Sequence, residues 1–220
     1  MQQLLFLLAG MICLSACHMK TRKEPTDGRA KIHDESIKPD DSLNSSAHQS
    51  LETVAAIQDA YTQTMSRLEK GAMDSTFFDY DCHGERNGRV IYFTEKGSLV
   101  LIKHYYGEYS HHEVHETFFV RDGKPFFQFR RATSWSFEHG AAEGATKDQV
   151  IEQRIYLRNE QPFRCLQKNY VMRSKANDNP IPDQLPNKDV DCTSAASTLT
   201  SFALLAKYEQ QPTTGCLAEK

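Results

Sequence analysis

From Thr76 to Arg173 the chain alternates short runs of aromatic and β-branched residues with polar breaks. The runs are 76–81, 89–94, 99–106, 112–120, 125–131, 150–158 and 163–173. Within most of them apolar and polar residues alternate with a period of two, the mark of a strand with one face buried. Asn87-Gly88, Lys96-Gly97, Asp122-Gly123 and Asn159-Glu160 lie between runs and read as tight turns. Short connections favour antiparallel neighbours, because a parallel crossover needs a dozen or more residues. The pattern predicts a meander of about seven strands.

Two segments carry helical periodicity instead. Leu51, Val54, Ala55, Tyr61, Met65 and Leu68 recur at steps of three and four, with Ile57 on the flank of the stripe. Ser46 and Gln49 have the spacing of a capping box, and Gly71 is placed to end the helix. Residues 194–208 repeat the signal with Leu199, Phe202, Ala203, Leu205 and Ala206, and Thr193 or Ser194 stands where a cap belongs. The Pro-, Asn- and Asp-rich stretch 174–191 reads as a loop. The fold class expected is α+β: an antiparallel sheet of about seven strands, with an N-terminal and a C-terminal helix covering one face and leaving the other open.

Residues 4–14 form an uncharged apolar run, too short to span a bilayer as a helix and of the length of a secretory signal core. It leads directly into Leu14-Ser15-Ala16-Cys17. This segment resembles the lipobox of bacterial lipoproteins. The resemblance covers the leader alone, and residues 1–3 depart from it by lacking Lys or Arg. It implies removal of residues 1–16, lipidation of Cys17, and attachment to the membrane through the N-terminal lipid. The resulting location is the bacterial cell envelope, facing the periplasm in preference to the surface. Residues 17–45 are polar, charged and without apolar period, as expected of a disordered tether. A single domain is expected over 46–216, followed by a tail at 217–220.

The composition narrows the partners. The 220 residues carry 26 Lys+Arg against 29 Asp+Glu, a net charge of −3. That is no basic field for a phosphate backbone, so nucleic acid is excluded as a dedicated partner. Of six cysteines, Cys13 leaves with the leader and Cys17 takes lipid. Cys82, Cys165, Cys192 and Cys216 remain, an even number for an oxidising compartment. Of the three possible connectivities, Cys82–Cys165 with Cys192–Cys216 is the one favoured.

Candidate chemistry is sparse. Lys103 and Tyr105, Gln128 and Arg130, and Arg154, Tyr156 and Arg158 each share a strand face. If residues of opposite parity, among them Ile102, Phe127, Phe129, Ile155 and Leu157, pack under the helices, these seven make an open platform for another envelope protein or a polar ligand. His111, Glu113 and His115 would share the face of a strand and offer ligands to zinc or copper, although the awkward register of Val114 also fits a loop. No nucleophile elbow, P-loop or dinucleotide-binding signature is present. No cofactor is implied beyond that metal. The functional expectation is a non-catalytic binding domain. A periplasmic metal-binding protein is the alternative, and an envelope-polymer hydrolase stands behind both.

Overall fold

The computed structural model describes residues 50–217. The signal peptide, Cys17, the tether and the Ser46/Gln49 capping box lie outside the described residues. The described chain runs as helix α1 (Val54–Glu69), strands β1 (Asp74–Cys82), β2 (Arg86–Glu95), β3 (Ser98–Glu108), β4 (His112–Arg121), β5 (Lys124–Phe137), β6 (Thr146–Arg158), β7 (Gln161–Arg173) and β8 (Lys188–Val190), then helix α2 (Ser197–Lys207). All strands belong to one antiparallel sheet in sequential order. The seven expected runs are strands. The eighth strand arises in the stretch expected to be loop, where Lys188, Asp189 and Val190 pair with Gln167, Leu166 and Cys165.

Three of the four expected turns reverse the chain in the same way. Lys96-Gly97, Asp122-Gly123 and the glycine-free Asn159-Glu160 all hold both residues at positive φ, between 50° and 78°. That left-handed pair matches the right-handed twist of the flanking strands. The fourth, Asn87-Gly88, is not a turn but lies inside β2. The chain reverses earlier, at His83-Gly84 (φ 56° and 76°), where Asp81 Oδ1 accepts from Gly84 N at 2.8 Å. Gly88 answers a different need. A Cβ there would lie 2.5 Å from the Tyr105 carbonyl oxygen and 2.8 Å from the Tyr80 ring. Tyr80 leans across this bare position. Gly88→Ala is therefore expected to cost about 1–3 kcal/mol, as overpacking does, read as a lower urea midpoint at unchanged slope. A neutral outcome would mean that the sheet can open there freely.

The helices lie on opposite faces, not on one. Neighbouring positions in a strand point to opposite sides. α1 packs through Ile57 and Ala60 onto Leu101, Phe119, Phe127 and Tyr156. α2 packs through Phe202 and Leu205 onto Tyr92, Ile102, Phe118 and Val120. Leu101 and Ile102 are adjacent and both fully buried, as are Phe118 and Phe119. The middle of the sheet is apolar on both sides, so each side needs a cover.

The stripe of α1 also sits differently from its expected centre. Ile57 is fully buried beside Ala56 and Ala60, while Tyr61 is 38% exposed, because the two alanines let the helix settle closely onto the aromatic rows. Thr53 caps α1, accepting from Ala56 N at 3.2 Å. At the other end Ala72 N and Gly71 N donate to Arg67 O and Leu68 O, with Gly71 at φ 65°, the expected stop. Before α2, the cap is Asp191 rather than Thr193. It accepts from Thr193 N at the start of a 3-10 turn (Cys192–Ala195), and α2 follows with no side-chain cap.

The cysteines form Cys82–Cys216 and Cys165–Cys192. This corrects the favoured connectivity. Cys82 is on β1 and Cys165 on β7, six strand spacings apart, or roughly 29 Å. A disulfide needs Cα atoms within about 7 Å. Each bridge instead staples one edge of the sheet. Cys82–Cys216 holds the C-terminal segment beside β1, where Asp81 N donates to Thr214 O at 3.0 Å. Cys165–Cys192 holds the chain next to the short β8.

Candidate functional site

α1 covers only one end of its face of the sheet. Beyond it β5 presents Phe129, Arg131, Thr133, Trp135 and Phe137 in alternation, with Phe137 63% exposed. Cross-strand neighbours on the same face are Thr117, His115 and Glu113 from β4, and Arg154, Glu152 and Val150 from β6. Tyr105 of β3 stands opposite His115. The uncovered row along β5 is roughly 27 Å long at the usual rise of a strand.

The centre of this face is a buried carboxylate surrounded by cations. Glu152 is 2% exposed and accepts from Arg131 Nη2 at 2.7 Å, Arg131 Nε at 3.1 Å, Tyr170 Oη at 3.0 Å and Arg154 Nη2 at 3.3 Å. Lys168 Nζ lies 3.1 Å from its second oxygen and donates to Pro182 O at 2.7 Å. Burial by itself would raise the Glu152 carboxyl. The hydrogen bonds from Arg131, Lys168 and Tyr170 outweigh it and hold the group at about 2. Both oxygens are occupied, so Glu152 fixes the guanidiniums in place instead of exchanging protons near neutral pH. Arg154 is held from two further sides, by the Phe129 ring 5.0 Å away and by Asn187 Oδ1 at 2.8 Å. Three cations (Arg131, Arg154 and Lys168) thus gather around one carboxylate, with Asp183 at the rim.

Hollows flank the row. One, of about 270 Å3, lies at the edge of α1 between Tyr61, Phe127, Phe129, Tyr156 and Arg154. A shallower one of about 500 Å3 spreads over Asp79, Arg89, Tyr105, Gly107, Glu113 and His115. At the far end the His111 and Trp135 rings meet at a tilt of 50° with centroids 4.1 Å apart, and Phe137 meets Trp135 edge-on at 5.6 Å. The indole is fixed by its Nε1 donating to Ser110 O at 2.7 Å.

The expected platform is divided between both sides of the sheet. Lys103, Tyr105 and Arg154 are on the open face. Tyr156 shares that face but is buried beneath α1 against Phe127. Arg158 sits at the helix rim, 3.9 Å from Glu52 and over the Phe163 ring. Gln128 and Arg130 point to the other side, under α2, where Thr198 Oγ1 donates to Gln128 Oε1 at 2.8 Å. The cause is the register of β5, which pairs Phe127 with both Phe119 and Tyr156 and so turns the odd-numbered residues toward α1.

The histidines follow the same logic. Residues 112–121 are strand, not loop, and Val114 is fully buried. His115 packs edge-on against Tyr105 at 4.8 Å, and His111 is held by Trp135. Glu113 lines the shallow hollow. Among the described residues no group of three or more His, Cys, Asp or Glu side chains is arranged to hold a metal ion.

The awkward register is resolved by a second polar row, on the α2 side. Glu116 is buried beside Val114, and its oxygens lie 3.3 Å from His104 Nδ1 and 3.3 Å from Arg130 Nε. A carboxylate only accepts, so Nδ1 of His104 carries a hydrogen toward Glu116, while Nε2 and the Tyr80 hydroxyl are joined by a hydrogen bond of 2.8 Å. Arg130 continues to Gln153 at 3.4 Å, and Gln153 to Gln167 at 3.4 Å. Burial pushes the Tyr80 phenol well above its usual value. Glu116 and Glu152 were not singled out from the sequence. Their signal is a charged residue at the inward position of an apolar strand. No protein-family model, curated protein or solved structure matches this chain.

Proposed function

We propose that this chain is a lipid-anchored envelope protein whose domain binds, without catalysis, an extended acidic polysaccharide along β5. The observation that carries the reading is the uncovered row Phe129–Arg131–Thr133–Trp135, bordered by guanidiniums already fixed by Glu152. Fixed cations lose little freedom on meeting a carboxylate, and Arg offers it a paired fork of donors. The flat faces of Trp135 and His111 suit the C–H faces of sugar rings, and the row is long enough for several of them. The envelope location rests on the lipobox and on two disulfides, which persist in oxidising compartments. No helix among the described residues is long and apolar enough to cross a membrane, so the lipid on Cys17 is the attachment proposed.

The test is retardation of the full chain, purified in detergent, on gels containing alginate or uncharged dextran. Wild type should be slowed by alginate only, with the effect fading as salt rises. Arg131→Gln and Trp135→Ala should each weaken retardation about tenfold, roughly 1.4 kcal/mol, with folding checked by thermal melting. Equal retardation of wild type and both variants, or no retardation at all, would remove the β5 row as the binding surface.

A further inference from the structure

The opposite face holds a half-open pocket that the β5 row does not use. Between the first turns of α2 and strands β3–β6 lies a cavity of about 370 Å3. Its floor is the row in which Glu116 stands opposite Arg130, and Arg130 opposite Gln153. Tyr106, Gln128 and Ser201 complete the part that matters here, and apolar surface comes mainly from Ile155 and the Tyr106 ring.

Packing of α2 does not call for such a row. Leu or Phe at these positions would seat the helix without the cost of desolvating an ion pair. Glu116 and Arg130 are already closed on each other at 3.3 Å, so the pocket is electrically balanced and calls for no counter-ion. What it offers is a mixture of donors and acceptors. Two contacts occupy Glu116, which has about four lone-pair sites, and the Arg130 fork carries five N–H groups. Vicinal hydroxyls fit such a mixture, because each can accept from the guanidinium and donate to the carboxylate. The volume lies near the small end of ligand pockets, the size for one ring.

We propose that this pocket binds a single neutral polyol or monosaccharide, gripped by the Glu116–Arg130 pair. It lies on the face away from Trp135, and so stands or falls separately from the polysaccharide reading. The experiment titrates the full chain in detergent with D-glucose, D-galactose, N-acetylglucosamine, myo-inositol and the anion gluconate. The readout is the NMR signals of the Gln128 and Gln153 side-chain amides. At least one neutral compound should shift both amides saturably, with gluconate no tighter. Ser201→Phe, which fills the pocket from the half-exposed side of α2, should weaken the effect at least tenfold, and Trp135→Ala should leave it unchanged. Gln153→Leu, followed through Gln128 alone, gives the same reading should Ser201→Phe fail to fold. No shift by any neutral compound up to about 20 mM, well past the ~1 mM of weak binding, would overturn the proposal. So would shifts that persist in the filled variant, or tighter binding of gluconate.

Discussion

Replacing Cys82 and Cys216 together by serine is expected to lower stability by about 5 kcal/mol, against about 3.5 kcal/mol for the Cys165/Cys192 pair. The difference follows from how much chain each bridge closes. The first spans 134 residues and the second 27. Cross-linking distant residues removes more freedom from the unfolded chain, and the loss grows with the logarithm of the loop. The folded state adds to the first effect, because Leu217 next to Cys216 packs against the cluster formed by β1–β4 and α2. Without the bridge that segment is free to leave the β1 edge. Urea unfolding of both double variants under oxidising conditions measures the two losses. Equal losses, or a larger one for the shorter loop, would show that folded-state contacts outweigh chain entropy here.

Glu152→Leu should cost about 3–5 kcal/mol, the usual range for breaking a buried charge network from one side. Lys168 is 5% exposed and would lose, with Arg131 and Arg154, the carboxylate that all three bind. The same group sets a pH dependence. Its folded-state pKa of about 2 lies below the ordinary 4.5, so the unfolded chain takes up the proton first. The contribution is therefore complete above about pH 4.5 and is lost as pH falls toward 2, by on the order of 3 kcal/mol. Urea midpoints of wild type and Glu152→Leu at pH 7 test the first statement, and those of wild type and Glu152→Gln at pH 7, 5, 3 and 2 the second. The gap between wild type and Glu152→Gln should be widest at neutral pH and close toward pH 2. A gap that stays constant with pH would assign the loss to shape rather than charge.

The candidate site was legible in part. The alternation along 125–137 identifies a strand, and Arg131 and Trp135 share one of its faces whichever way that face turns. Which way it turns depends on the partner strands, since a slip of one residue exchanges the two faces. Seen alone, Phe127 and Phe129 read as core. In the sheet Phe127 is core, but Phe129 lies just beyond the end of α1 and is half-buried beside the hollow there. Glu116 and Glu152 could be noticed only as charges in inward positions. Their partners come from strands up to 21 residues away in sequence and could not be named from spacing.

What the chain determines locally, its sequence shows by itself. Residue pairs such as Lys96-Gly97 and Asp122-Gly123 reverse the backbone through their own φ preferences, and these reversals order the strands as a meander. Alternation along the strands predicts one open face; the structure shows that consecutive pairs such as Leu101-Ile102 and Phe118-Phe119 are buried on both sides, so each face has its own cover. Only the tertiary structure decided which helix covers which face, which cysteines meet, and which half of the sheet stays open. Those outcomes depend on distances across six strands and on packing between segments more than a hundred residues apart, as where the Tyr92 hydroxyl donates to Leu205 O. No local preference encodes them, because they follow from how the whole apolar surface can be covered at once.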